Sequence, residues 1–175
     1  MSLVIPVGKD DHILGPEDAP LTWVEYGDYE CPGCGAAYPM VKTLCKRLGS
    51  QQRFVFRNMP LSQIHPNAEL AAEAAGAQGK FWEMHDAIYE HQAELGLELL
   101  ETFAQRIHLD IPRFTQDLET RRFREHVKRD FMGGVRSGVN GTPTFFIEGV
   151  RYDGSLDERS LEAALRQQIA QKTAR

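Results

Sequence analysis

The chain has 175 residues, 42% of them hydrophobic, which suits one domain with a real core or a core domain carrying an insertion. Its formal net charge is -5 and its lysines and arginines are dispersed. The longest basic cluster, Arg121-Arg122-Phe123-Arg124, is flanked by acids, so no nucleic-acid partner is expected.

No apolar segment approaches the roughly 20 residues that span a bilayer, so no membrane insertion is expected. The opening Met1-Ser2-Leu3-Val4-Ile5-Pro6 is too short for a secretory signal, and the chain as written reads as cytoplasmic. The same domain made without its native signal would instead be exported. Three cysteines are too few for a disulfide-stapled scaffold.

Residues 8–20, with Gly8, Gly15-Pro16 and Ala19-Pro20, carry breakers and charges, and residues 1–20 read as an irregular lead-in. The run Leu21-Thr22-Trp23-Val24-Glu25-Tyr26 predicts a central strand covered on both faces. Glu25 is its anomaly, because a carboxylate there is costly unless paired or neutral. It stands six residues before Cys31. Buried beneath a second thiol, with its pKa raised, it would exchange a proton with Cys34 through water; at a wet strand edge it would be an ordinary acid.

The strand feeds Glu30-Cys31-Pro32-Gly33-Cys34, which opens a predicted helix from about Cys34 to Leu48. Two thiols separated by two residues at a strand-to-helix junction close and open a small disulfide ring with little movement elsewhere. Unpaired backbone N–H groups and the positive dipole end at the helix start favour a thiolate, which makes Cys31 the expected attacking sulfur. A four-thiolate zinc site needs a second pair, whereas the one further cysteine, Cys45, lies eleven residues beyond Cys34, roughly 16 Å along a helix. Zinc completed by histidines is the alternative to redox chemistry.

Val41, Leu44, Cys45 and Leu48 form the core stripe of this helix, with Cys45 as a small buried hydrophobe, and Pro39 predicts a kink. Arg53-Phe54-Val55-Phe56-Arg57 predicts the second strand and completes a strand-helix-strand unit. Residues 61–138 then turn helical, with four or five short helices and no strand between them. Their stripes are Leu70, Ala71, Ala74 and Ala75; Phe81, Met84, His85 and Ile88; Leu100, Phe103, Ala104 and Ile107; Phe114 and Leu118; Phe123, Val127 and Phe131. His85 lies on a stripe and reads as a hydrogen-bonded core residue. His65, His91, His108 and His126 read as helix ends or wet faces, and no His-x-x-x-His pair points to a metal.

Gly133-Gly134 and Gly138 precede Gly141-Thr142-Pro143-Thr144-Phe145-Phe146-Ile147, a proline placed before a strong strand signal, where an X-Pro bond is readily held cis. A plain loop proline is the alternative. Glu148-Gly149 predicts a two-residue hairpin turn, and Ser155-Leu156-Asp157-Glu158 reads as a capping box before a closing helix.

These motifs together resemble the thioredoxin superfamily, and within it the DsbA-like thiol-disulfide oxidoreductases. The likeness runs from Gly15-Pro16-Glu17-Asp18-Ala19-Pro20 through Glu25-Tyr26-Gly27-Asp28-Tyr29-Glu30-Cys31-Pro32-Gly33-Cys34, His65-Pro66 and Gln78-Gly79-Lys80-Phe81-Trp82-Glu83-Met84-His85 to Gly141–Ile147. It is most similar to the thioredoxin-like domain that stands alone or follows some sodium/proton antiporters. The resemblance implies an α/β thioredoxin fold with a central mixed sheet of four core strands, residues 21–60 and 139–175 forming the core and residues 61–138 an inserted all-helical subdomain. It further implies that Cys31 is the nucleophile, Cys34 the resolving thiol, Glu25 the buried acid and Pro143 a cis proline beside them.

Pro32, Gly33, Thr142 and Pro143 would contact substrate, with Thr142 offering backbone groups to an extended segment. The implied partners are protein thiols and disulfides and an unidentified redox partner, with no cofactor and no metal. The best-known periplasmic oxidant of the family has a histidine where this chain has Gly33, so a weaker oxidant is expected here. Disulfide isomerisation is the rival within the enzymes, and a non-catalytic redox sensor is the rival outside them.

Overall fold

The apolar run read as a central strand forms one, β2 (Leu21–Gly27), and its nearly unbroken burial follows from being covered on both faces. In the computed structural model, which describes residues 1–61 and 67–174, β2 pairs in parallel with β3 (Gln52–Asn58) and antiparallel with β4 (Thr144–Ile147). Two short strands extend the sheet to the order β1-β3-β2-β4-β5, with β1 at His12–Leu14 and β5 at Val150–Arg151. The sheet therefore has five strands where four core strands were expected. β1 lies inside the segment read as irregular; too short to show a period, it is held by antiparallel pairing of His12, Ile13 and Leu14 to Phe56, Val55 and Phe54.

Side chains alternate between the faces of the sheet. Leu21, Trp23, Phe54, Phe56 and Phe145 enter the larger apolar cluster with Cys34, Val41 and Leu44 of α1 (Pro32–Leu48) and Leu161 and Leu165 of α7 (Glu158–Thr173). Val24, Tyr26, Val55 and Phe146 pack on the other face with Met59 and Val139. By this alternation Glu25 belongs to the face that carries α1.

Five helices without an intervening strand occupy the described part of residues 61–138: α2 (Asn67–Gly76), α3 (Phe81–Glu90), α4 (Leu97–Arg106), α5 (Ile111–Glu119) and α6 (Arg124–Arg136). α2 buries Glu69 and Glu73 along with its alanines, which the small-residue pattern did not signal. α6 differs more. Phe123, Val127 and Phe131, expected as its core stripe, are only half-buried, and the helix instead buries Asp130, Gly133 and Gly134. The glycines let the helix backbone press on Tyr26 and Met59: a Cβ on Gly134 would meet Met59 Sδ at 2.8 Å and Tyr26 Cδ1 at 3.0 Å.

α1 runs as one helix through Pro39. The hairpin turn forms with Glu148 at φ 50° and Gly149 at φ 77°, the positive pair that a two-residue turn requires. The capping box does not form as read. Asp157 caps α7 by accepting from Ser160 N–H at 2.9 Å, so the cap lies two residues beyond Ser155. Among the described residues no helix is long and apolar enough to cross a membrane. His65 and Pro66 lie outside the described residues.

Candidate active site

β2 ends at Gly27, and the chain turns through Asp28, Tyr29 and Glu30 before α1 begins. The buried Asp28 organises that turn: its carboxylate accepts from Glu30 N–H (2.9 Å) and Leu61 N–H (2.9 Å), and its carbonyl accepts from Cys31 N–H at 3.1 Å. Cys31 is the N-cap of α1, Pro32 follows at the first helical position, and Gly35 N–H closes the first turn on Cys31 O at 3.1 Å. One turn of helix separates the two thiols in environment. Cys31 is half-buried, whereas Cys34 is completely enclosed.

The loop before β4 meets the outer sulfur. The Thr142–Pro143 peptide is cis, and Cys31 Sγ donates to Thr142 O at 3.3 Å. Gly33 lies in the same corner, since a Cβ there would stand 3.5 Å from Cys31 Sγ, Pro143 Cδ and Thr142 O. Pro32 and Gly33 are exposed, and Thr142 and Pro143 half-buried. Cys31, Pro32, Gly33, Thr142 and Pro143, far apart in the chain, thus share one surface.

Beneath them Cys34 Sγ accepts from Asp28 N–H at 3.5 Å. Burial pushes the Cys34 thiol well above the ordinary range, and a negative charge on Glu25 pushes the same way. Glu25 is 3% exposed, and burial alone raises its carboxyl to about 8. Of the two environments considered for it, the sheet supplies the enclosed one: its register partners are Phe56 and Phe145. Cys45 is buried, and its thiol is raised by burial and then by Glu25, in keeping with a small core residue. His85 is also buried, hydrogen-bonded through Nδ1 to Tyr29 Oη at 2.9 Å, and burial lowers it to about 3.

Two contributors carry no motif. Gln92, in a short turn after α3, donates Nε2 to both Tyr29 O and Cys31 O at 2.8 Å, tying the active-site turn to the helical block. Glu69 of α2 is buried and raised to about 8, by burial first and then by the Asp28 and Glu30 charges. The sequence signals neither, because each depends on a partner outside its own segment. Two further histidines, His12 and His126, come together around Glu73 of α2. His91 and His108 sit at the end of α3 and in a turn after α4.

A family model described as thioredoxin matches residues 8–167. The Na(+)/H(+) antiporter NhaA 1 of Salinispora arenicola is 46% identical over 169 residues, covering 94% of this chain and 26% of the antiporter. This chain therefore spans about a quarter of that relative's length. Among solved structures, a thioredoxin-like oxidoreductase from Silicibacter pomeroyi superposes with a TM-score of 0.77 at 26% identity, covering 96% of this chain and 95% of that one. The alpha-DsbA1 of Wolbachia pipientis superposes with a TM-score of 0.83 at 19% identity, covering 98% and 96% of the two chains, a likeness of fold.

Proposed function

The chain belongs to the thioredoxin family with a DsbA-like fold, and from that premise we propose that it is a thiol-disulfide oxidoreductase whose Cys31–Cys34 pair exchanges with protein substrates. The observation that carries this reading is the contrast between a half-buried Cys31, its sulfur 3.3 Å from Thr142 O at a helix start, and a sealed Cys34 one turn further in. One sulfur is reachable and the other is not. Pro32, Gly33 and Pro143 lie beside the reachable one, and in this reading the Thr142 backbone pairs with an extended substrate segment.

In the oxidising direction a substrate thiolate attacks Cys31 Sγ of the disulfide, the Sγ–Sγ bond breaks, and Cys34 leaves with the electron pair and takes up a proton. A second substrate thiolate then attacks the substrate sulfur of the mixed disulfide and releases Cys31 as thiolate. The substrate dithiol is oxidised and the enzyme pair reduced. In the reducing direction Cys31 attacks a substrate disulfide and one substrate thiolate leaves; Cys34 then loses its proton and attacks Cys31 Sγ, the bond from Cys31 to the substrate sulfur breaks, and the second substrate thiolate leaves with the electron pair, so the substrate is reduced and the enzyme pair oxidised. Cys34, whose thiol is raised by burial, needs a nearby acceptor for that proton. Glu25, brought to about 8 in the same enclosed face, is suited to take it through water and return it.

Insulin-disulfide reduction with dithiothreitol tests the reading. Cys31→Ser is expected to abolish turnover, while Cys34→Ser accumulates a mixed disulfide with substrate. Full turnover by Cys31→Ser removes the proposal, and a single stoichiometric cycle in the unaltered protein favours a sensor over an enzyme.

A further inference from the structure

Where the helical block meets the sheet edge, four separate elements converge on one small polar cluster. His12 Nε2 of β1 lies 2.8 Å from Glu73 Oε2 of α2. His126 Nε2 of α6 lies 3.6 Å from Glu73 Oε1 and 3.6 Å from Asp130 Oδ2, one helical turn along. The ligating atoms of His12, Glu73 and His126 all fall within 4.8 Å of one another. The carboxylates are buried, at 3% and 4% exposure, but the two imidazoles stand at 19% and 22%, which leaves a way in from solvent.

The cluster is built rather than incidental. Asn58, fully buried at the end of β3, donates Nδ2 to Glu73 Oε1 (2.8 Å) and to Asp130 Oδ2 (3.2 Å), and its backbone N–H reaches Asp130 Oδ2 at 3.2 Å. Its Oδ1 has no partner among the described residues, so its amide is committed to holding the two acids. The His12 ring lies flat on Phe81, with centroids 3.6 Å apart and planes 4° from parallel. It also passes so close to α2 that a Cβ on Gly76 would come within 2.9 Å of its Cε1. Two enclosed carboxylates sharing one neutral amide call for positive charge. Apart from the imidazoles, the charge paired with them is Arg129, 3.6 Å from Asp130 Oδ1 and also paired with Asp10.

We propose that His12, Glu73 and His126 form a binding site for a divalent first-row transition ion of the zinc class, with its fourth position facing Asp130. Zinc bonds of about 2.0–2.2 Å in tetrahedral geometry place ligand atoms about 3.4 Å apart. His12 Nε2 stands 2.8 Å from Glu73 Oε2 and His126 Nε2 3.6 Å from Glu73 Oε1, and one ligand atom from each of the three residues falls within 4.8 Å of the others, so side-chain adjustments of up to roughly 1.4 Å bring three ligand atoms to the tetrahedral spacing. Two imidazole nitrogens with one carboxylate suit zinc and its neighbours, whereas calcium and magnesium demand oxygen ligands. Asn58 is the outer-shell partner that aims Glu73. An ion here cross-links β1, α2 and α6 and, through Asn58, β3. The sequence pattern pointed to no metal because the three ligands lie on elements 12, 73 and 126 residues into the chain, with no motif to join them.

The test uses the full chain, stripped with chelator and with the Cys31–Cys34 pair oxidised so that thiolates do not compete. Titration with zinc chloride by calorimetry is expected to give one ion per chain, and calcium chloride none. His126→Gln and Glu73→Gln each weaken zinc binding about tenfold or more. A second measurement reads zinc on the unaltered protein: in its nitrogen-15 spectra zinc shifts two histidine ring signals, assigned to His12 and His126 by their absence from the spectra of His12→Gln and His126→Gln. Absence of stoichiometric zinc binding, binding unchanged in His126→Gln, ring shifts at other histidines, or a preference for calcium overturns the proposal and leaves a hydrogen-bonded polar cluster only.

Discussion

Replacing Glu25 with Gln removes one ionisable group from the enclosed face of β2, and the structure sets the size of the effect. Burial lifts this carboxyl from an ordinary 4.5 to about 8. In the unfolded chain Glu25 loses its proton near 4.5, whereas in the folded protein it keeps the proton until about 8. Between those values the folded state binds one more proton at Glu25, so the contribution of this group to stability is greatest below pH 4.5 and falls as pH rises. Three and a half pH units at about 1.36 kcal/mol each give about 5 kcal/mol lost across this window, as an upper figure. Above pH 8 the loss is complete and the curve flattens.

Glu25→Gln is expected to lack this slope. Its buried amide adds a pH-independent offset, so the readout is the difference in slope between the two proteins, in which other titrating groups cancel. Urea unfolding from pH 4.5 to 8.5, followed by tryptophan fluorescence, measures it. The variant should gain on the parent steadily with pH, by several kcal/mol between the ends. Under the proposed function, the same variant should also slow resolution of the mixed disulfide by Cys34, by about ten to a hundredfold near neutral pH. Parallel stability curves for the two proteins would refute the claim that Glu25 is held neutral by its surroundings.

The remaining predictions rest on single contacts. Gly33→His should fold without strain, because its Cβ meets its neighbours at ordinary van der Waals distance, and should place a donor beside Cys31; equilibration with glutathione should show the pair more oxidising by on the order of 30 mV or more. Gln92→Ala removes two hydrogen bonds from the active-site turn and should cost about 1–3 kcal/mol in urea unfolding, with faster alkylation of Cys31 by iodoacetamide as the turn loosens. Gly134→Ala drives a methyl group into Met59 and Tyr26 and should lower stability by about 1–3 kcal/mol, read as a drop in Tm, without affecting disulfide exchange.

The active-site stretch was legible in the chain because its geometry is local. A strand that ends, a proline at the first helical position and two cysteines one turn apart depend only on neighbours in sequence, and α1 opens at Pro32 within two residues of the expected start. Glu25 declared itself as a charge in an apolar strand. The helical block was legible for the same reason, since 3.6-residue periodicity survives without knowledge of what covers the stripe.

Tertiary structure decided whatever depends on approach between distant segments. Gly133 and Gly134 carry no apolar signal, yet they are the helix face on which α6 rests, because only a bare backbone fits against Tyr26 and Met59. β1 has three residues and too short a pattern to announce a strand; its pairing comes from β3. Gln92 reaches two carbonyls some sixty residues earlier, and His12, Glu73 and His126 meet only after β1, α2 and α6 are packed. Propensity and periodicity act over a few residues, whereas a hydrogen bond, a close backbone contact or a shared charge acts wherever the fold brings two groups together.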